Sequence, residues 1–183
     1  PYLSLALGAF EISPFDFTAA YIPFAADGIQ ARPYATVKVT DRAQRVLEIN
    51  VPRNHRAIPP EVAFQVRSLL RGVVTSGTAR RALKLPGFAA GKTGTTNEYR
   101  DAWFIGFSAD LIAGVWMGND DGARMKNVTG GGVPARLWRD FMKAAHMGIP
   151  PRALPGLDAA APVKKNEPGF WKNFFATLSG GEG

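Results

Sequence analysis

The spacing of apolar positions changes several times along the chain, and each change marks an element. Ser13-Pro14-Phe15-Asp16 carries the signals of a helix start. Ser13 can accept a backbone N–H as N-cap, Pro14 suits the first turn, and Asp16 lies near the positive end of the helix dipole. Pro23 predicts a kink or an end, and Asp27-Gly28 marks the latest stop. Tyr34 to Thr40 and Arg45 to Asn50 are β-branched and partly alternating, with Asp41 to Gln44 between them, which predicts a hairpin. Pro59-Pro60-Glu61 opens a second helix. Val62, Val66, Leu69, Leu70 and Val73 recur at i, i+4, i+7, i+8 and i+11, one apolar face for the core, and Gly77 ends the run.

Past Pro86-Gly87 the helical period is lost. Phe88 to Thr96 is short and built of small residues, while Asp101 to Ser108 and Leu111 to Gly118 are strand candidates. Ala109-Asp110 leaves room only for an antiparallel turn, so the three runs form a meander with AAGKTGTT as its first member. Gly130-Gly131-Gly132 reads as a loop, and Pro134 starts a helix with Leu137, Trp138, Phe141 and Met142 on one face. The expected class is α/β, an antiparallel sheet with packed helices. Residues 1–149 read as one domain and 150–183 as a Pro/Ala/Gly-rich tail, expected to be flexible.

Composition narrows the chemistry. A chain of 183 residues with 46% hydrophobic and 20% charged residues suits one globular domain. No apolar run approaches the length of a membrane span. Pro1-Tyr2-Leu3 has neither a basic region nor an initiator Met, so upstream sequence is expected. With no Cys, disulfides, thiolate metal sites and Cys nucleophiles are excluded. The net charge of +7 is scattered, without the aromatic-interleaved basic stripe that nucleic-acid binding would use. His55 and His146 are too few for most metal sites, and Asp120-Asp121 reads as a strand-end turn, so no metal and no cofactor are expected.

One stretch, AAGKTGTTNE from Ala89 to Glu98, admits two incompatible readings. As a phosphate loop it would need G-x-x-x-x-G-K-[ST] between a strand and a helix. Counting back from Gly91, Pro86 stands where the first Gly belongs, and Thr93-Gly94-Thr95-Thr96 is poor material for the helix that should begin at Lys92. As a strand, Lys92-Thr93-Gly94 has the form of the third motif of penicillin-interacting serine enzymes. Thr93 and Thr95 would then point the same way, and Lys92 to the other face, from which its long stem can curl back.

The surrounding blocks carry the second reading. LGAFEISPFDFTAAY, AGKTGTTNEYRDAWFIGF, GVWMGNDD and TGGGVPARLWRDFM resemble, in order, the C-terminal half of the transpeptidase domain of bifunctional, class A penicillin-binding proteins. The resemblance implies an incomplete penicillin-binding transpeptidase (β-lactamase-like) fold. It also implies a serine-type D-Ala-D-Ala transpeptidase or carboxypeptidase that cross-links peptidoglycan stem peptides through an acyl-enzyme and binds β-lactams. On that basis Lys92 and Thr95 are the candidate catalytic residues. Thr93, Gly94, Thr95 and Thr96 are the candidate substrate-binding residues, and the Thr95 amide is one of two oxyanion-hole donors. The resemblance further implies a location on the periplasmic side of the inner membrane. An upstream glycosyltransferase domain, a membrane anchor and the N-terminal half of the same domain would complete the protein.

No Ser or Thr in the chain has Lys three places on, and no Ser-x-Asn triplet occurs. The chain alone is therefore expected to be inactive. Two alternatives stay open at this point: a noncatalytic domain that binds cell-wall peptides, and the phosphate loop. Phe170, Trp171, Phe174, Phe175 and Leu178 form an apolar helical stripe beside Lys164, Lys165 and Lys172, which could touch a membrane surface or a partner if it is more than a disordered tail.

Overall fold

The computed structural model describes residues 11–83, 88–150 and 152–157. Ser13 caps helix α1 (Pro14–Ala19), its Oγ accepting the Asp16 amide at 3.1 Å. Helix α2 (Ile22–Ala25) holds Pro23 in its first turn, where the missing N–H leaves no bond unmade. Asp27 and Gly28 then take positive φ values of 47° and 85° and end the helical stretch. At Gly28 a Cβ would also lie 2.1 Å from the Ile58 carbonyl oxygen, so only glycine fits.

Two small ribbons follow. Strand β1 (Ile29–Ala31) pairs antiparallel with β4 (Asn54–Arg56), a pairing the sequence pattern did not reveal. Between them β2 (Lys38–Thr40) and β3 (Val46–Ile49) make the expected hairpin with shorter strands. Asp41 closes its turn, Oδ1 accepting the amides of Ala43 at 2.8 Å and Arg45 at 2.9 Å.

The main sheet is the expected meander. β5 (Ala90–Thr95), β6 (Asp101–Phe107) and β7 (Ile112–Gly118) lie antiparallel in that order, with β5 at an edge. Helices cover both faces. Helix α5 (Val133–Ala145) lays the fully buried Trp138 over one face, where its ring meets Phe104 edge-on at 5.2 Å. The indole N–H is shared between the carbonyls of Ala113 at 3.0 Å and Gly106 at 3.2 Å. On the opposite face α1 lies so close to β7 that a Cβ on Gly114 would fall 2.2 Å from Thr18 Oγ1, and Phe17 meets Trp103 at 5.4 Å. Helix α3 (Pro60–Thr75) runs beside β5 and feeds both cores: Val74 joins Phe104 and Trp138, and Leu70 joins Ala90 and Phe107. The short helix α4 (Arg80–Leu83) rests on α5, with Arg139 donating to the Ala82 carbonyl at 2.7 Å.

Three expectations shift. The buried residues of α3 are Ala63, Arg67, Ser68, Leu70, Arg71 and Val74; of the expected face Leu70 is buried and Val66 and Val73 pack half-buried against the cores, so the stripe is turned by about one residue. An arginine explains the rotation: the buried Arg67 guanidinium donates to the Phe24 carbonyl at 2.8 Å and to Asp27 at 2.7 Å, tying the end of α2 to α3. A reading of apolar periodicity gives no weight to such a group. On α5, Trp138 and Met142 are buried, but Leu137 and Phe141 remain 54% and 56% exposed, because the stripe Pro134–Ala135–Trp138–Met142 faces the sheet instead. The packed chain also runs past the expected boundary at Pro150. Leu154 is buried beside Phe107, and Arg152 donates from Nε to Asp110 at 3.1 Å. Residues 158–183, with the aromatic stripe at Phe170 to Leu178, lie outside the described residues. Among the described residues no helix is long and apolar enough to cross a membrane.

Candidate functional site

Residues 92–95 sit inside β5, so the run is extended. That removes the phosphate-loop reading, which requires a helix to open at Lys92.

The register places Lys92 opposite Ile105, Thr93 opposite Phe104, Gly94 opposite Trp103 and Thr95 opposite Ala102. One step further the Thr96 amide donates to the Asp101 carbonyl at 3.0 Å. Antiparallel pairs alternate between bonded and unbonded, so Gly94 and Lys92 also turn their peptide groups toward β6. Thr93 and Thr95 turn theirs away from it. The Thr95 N–H and the Thr93 carbonyl therefore point to the open edge of the sheet, and the two threonine side chains share the α5 face with Phe104.

Each polar group there has a defined neighbour. Lys92 starts on the opposite face, yet its Nζ curls to the edge and donates to the Thr93 carbonyl at 2.7 Å. Thr93 Oγ1 lies 2.8 Å from Thr78 Oγ1. Thr95 Oγ1 accepts the Gly130 N–H at 3.0 Å. An ammonium, two hydroxyls and one amide thus gather along a single piece of strand edge. Thr96 stands apart: its Oγ1 accepts the Asp101 amide at 2.7 Å and closes the β5–β6 turn. Asp101 in turn accepts the Trp116 indole N–H at 2.9 Å.

Gly94 is enclosed on both sides. A Cβ there would press on Trp103 Cβ at 3.2 Å, and on the threonine face a Cβ on Gly130 would lie 2.4 Å from the Gly94 oxygen. The loop before α5 can approach the strand this closely only as glycine. Beyond the site Glu98 and Tyr99 adopt φ values of 67° and 59°, and the turn is held by Glu98 pairing with Arg100 and Arg124 and by the Met125 amide donating to the Tyr99 carbonyl at 3.0 Å. Asp121 accepts the Ala123 amide at 2.9 Å within the turn that follows β7.

Thr78 and Gly130 were not site candidates from the sequence. Their only signals were glycines, Gly77 beside Thr78 and the run Gly130 to Gly132. A serine–histidine contact occurs elsewhere, Ser108 Oγ lying 3.0 Å from His146 Nε2. The same Oγ accepts the amides of Asp110 at 3.1 Å and Leu111 at 3.0 Å, so it closes the β6–β7 turn at the end of β6 remote from Thr95.

Comparison with known proteins shows what the whole chain is similar to. Residues 1–143 match the penicillin binding protein transpeptidase domain family. Penicillin-binding protein 1A of Aquifex aeolicus is 46% identical over 145 residues, 78% of this chain and 20% of that protein. Penicillin-binding protein 1A of Neisseria lactamica is 36% identical over 159 residues, 83% of this chain and 20% of that protein. The chain thus spans a fifth of the length of these relatives. The crystal structure of penicillin-binding protein 1A from Haemophilus influenzae aligns with a TM-score of 0.75 at 28% identity, covering 82% of this chain and 29% of that one. The penicillin-binding protein PonA1 from Mycobacterium tuberculosis aligns with a TM-score of 0.73 at 26% identity, covering 92% and 48%.

Proposed function

Because the chain belongs to the penicillin-binding protein transpeptidase domain family, we propose that it builds one wall of the active site of a peptidoglycan transpeptidase. The observation that carries this reading is the free edge of β5, where the Thr95 amide, the Thr93 carbonyl and the Lys92 ammonium all face outward. A peptide ending in a carboxylate can add to such an edge as an extra strand. Lys92 supplies positive potential that draws the terminal carboxylate and favours a deprotonated proton carrier nearby. The hydroxyls of Thr93 and Thr95 bind that carboxylate.

The Thr95 amide is one of two oxyanion-hole donors, the other being the amide of the nucleophilic serine. Losing one such donor typically lowers the rate by about 100- to 1000-fold. The nucleophile, with Lys three places on, comes from the N-terminal half of the same domain in a longer protein, and residues 1–149 are the C-terminal part of that domain. β-Lactams enter as mimics of the D-Ala-D-Ala end, and the reaction needs no cofactor. The longer protein carries a glycosyltransferase domain and a membrane anchor upstream, and the site faces the periplasm.

Fluorescent penicillin on a denaturing gel tests this. The full-length protein is expected to label, Lys92→Ala in it to label far more weakly, and the isolated chain not to label. A labelled band from the isolated chain would place a nucleophile inside it and refute the division of the site. An unlabelled full-length protein would favour a noncatalytic domain that binds wall peptides.

A further inference from the structure

We infer that Thr78, outside the Lys-Thr-Gly run, is a positioning residue for carboxylate recognition, acting through the hydroxyl of Thr93. The inference rests on the reading of β5 as a carboxylate-binding edge. A hydroxyl offers one hydrogen and two lone pairs, whereas a carboxylate only accepts. To hold a carboxylate, Thr93 and Thr95 must both turn their hydrogens outward, and a donor on the inner side of each oxygen enforces that. For Thr95 the inner donor is the Gly130 amide, which can only donate. For Thr93 the group in the equivalent place is the Thr78 hydroxyl at 2.8 Å. An arriving carboxylate selects the direction Thr78 to Thr93 to ligand, and in such a chain each bond polarises the next.

The fold holds Thr78 for this purpose. A Cβ on Gly77 would fall 2.7 Å from Val73 Cα, so the chain can turn back over the end of α3 only as glycine. Ala79, fully buried, anchors the next position in the core. From the other side a Cβ on Gly131 would lie 2.5 Å from the Thr78 carbonyl oxygen and 3.6 Å from Thr93 Cγ2. The end of α3, the glycine loop and β5 thus close on one another with Thr78 and Thr93 facing. Thr78 is itself exposed, so a same-sized apolar replacement disturbs no core contact.

The test compares acylation of the full-length protein by a penicillin and by its methyl ester. Charge-assisted hydrogen bonds are the stronger kind, so losing the relay weakens the acid more than the ester. Thr78→Val is expected to lower the acid-to-ester ratio of second-order acylation rates by about 3- to 10-fold, the scale of one net hydrogen bond. Thr78→Ser should retain the parent ratio, and Thr78→Val should add little in a Thr93→Val background. An unchanged ratio in Thr78→Val while Thr93→Val lowers it overturns the inference and leaves the carboxylate-binding edge standing. An unchanged ratio in Thr93→Val overturns the edge reading and the inference with it. A Thr78→Ser protein as impaired as Thr78→Val would show a packing role and also overturn the inference.

Discussion

The β5–β6–β7 sheet and the β2–β3 hairpin are both antiparallel, both rich in β-branched or aromatic residues, and they meet opposite fates. In the sheet Phe104, Ile105 and Phe107 are at most 1% exposed, because α5 closes one face and α1, α2, α3 and Leu154 close the other. In the hairpin Val46, Leu47 and Ile49 stay 53%, 66% and 62% exposed, although three of the four strand residues are apolar. Local pattern makes a strand, and a second layer buries it. The candidate site belongs to the first kind of region. Its groups project from the open edge of a sheet whose interior is packed from both sides, which is how a surface site is held rigid.

That contrast can be broken by substitution. The largest effect is expected for Trp138→Ala, which removes the ring that joins α5 to β6 and β7. The loss should be about 3–5 kcal/mol, the range for deleting a buried aromatic, read as a shift in the urea midpoint. A variant that unfolds like the parent would show that α5 does not hold the sheet. Much smaller is Leu47→Ala in the hairpin, expected within about 0.5 kcal/mol of the parent as at other exposed positions. A loss of several times that amount would mean that the ribbon is covered in solution.

The smallest effect concerns the turn between β6 and β7. The Asp110 carboxyl is held below its usual range, first by its hydrogen bond from Arg152 and further by that charge and by His146. A carboxyl whose folded pKa is depressed stabilises the fold above its unfolded value, near 3.9, and that contribution fades as pH falls through the depressed one. Arg152 is solvent-exposed and Asp110 is half-buried in a surface turn, so the effect is weak. Arg152→Ala should lower Tm slightly at neutral pH and by progressively less as the pH falls, so that the acid limb of a plot of Tm against pH flattens. A drop in Tm at neutral pH matching that in acid would show that Arg152 acts by packing alone.

Much of this architecture was legible along the chain. Ser13 caps α1, Asp41 closes the hairpin turn, and the meander has its strands in the expected order. The failures share a cause. The pairing of β1 with β4 joins short segments about two dozen positions apart, with no alternation to betray them. The face of α3 was misplaced by one residue because Arg67 is buried through partners on α2 and in the turn after it. Half of the apolar face expected on α5 is exposed, since both stripes of that helix carry apolar residues and only the sheet selects between them. Within the candidate site, Lys92, Thr93, Gly94 and Thr95 could be listed from their motif, while for Thr96 the sequence left a turn role and a ligand-facing role equally open, and its bond with Asp101 sets it in the turn.

What the sequence alone determined is local: where helices start, where turns close, and that Lys92 to Thr95 is extended. Caps, fixed φ angles and a period of two all act within a few residues. What the tertiary structure decided is which groups meet the two threonines. Thr78 lies 15 residues from Thr93, and Gly130 lies 35 from Thr95. No periodicity links such positions. They meet because the end of α3 and the loop before α5 pack on one sheet face, and glycine at both places lets backbone approach backbone.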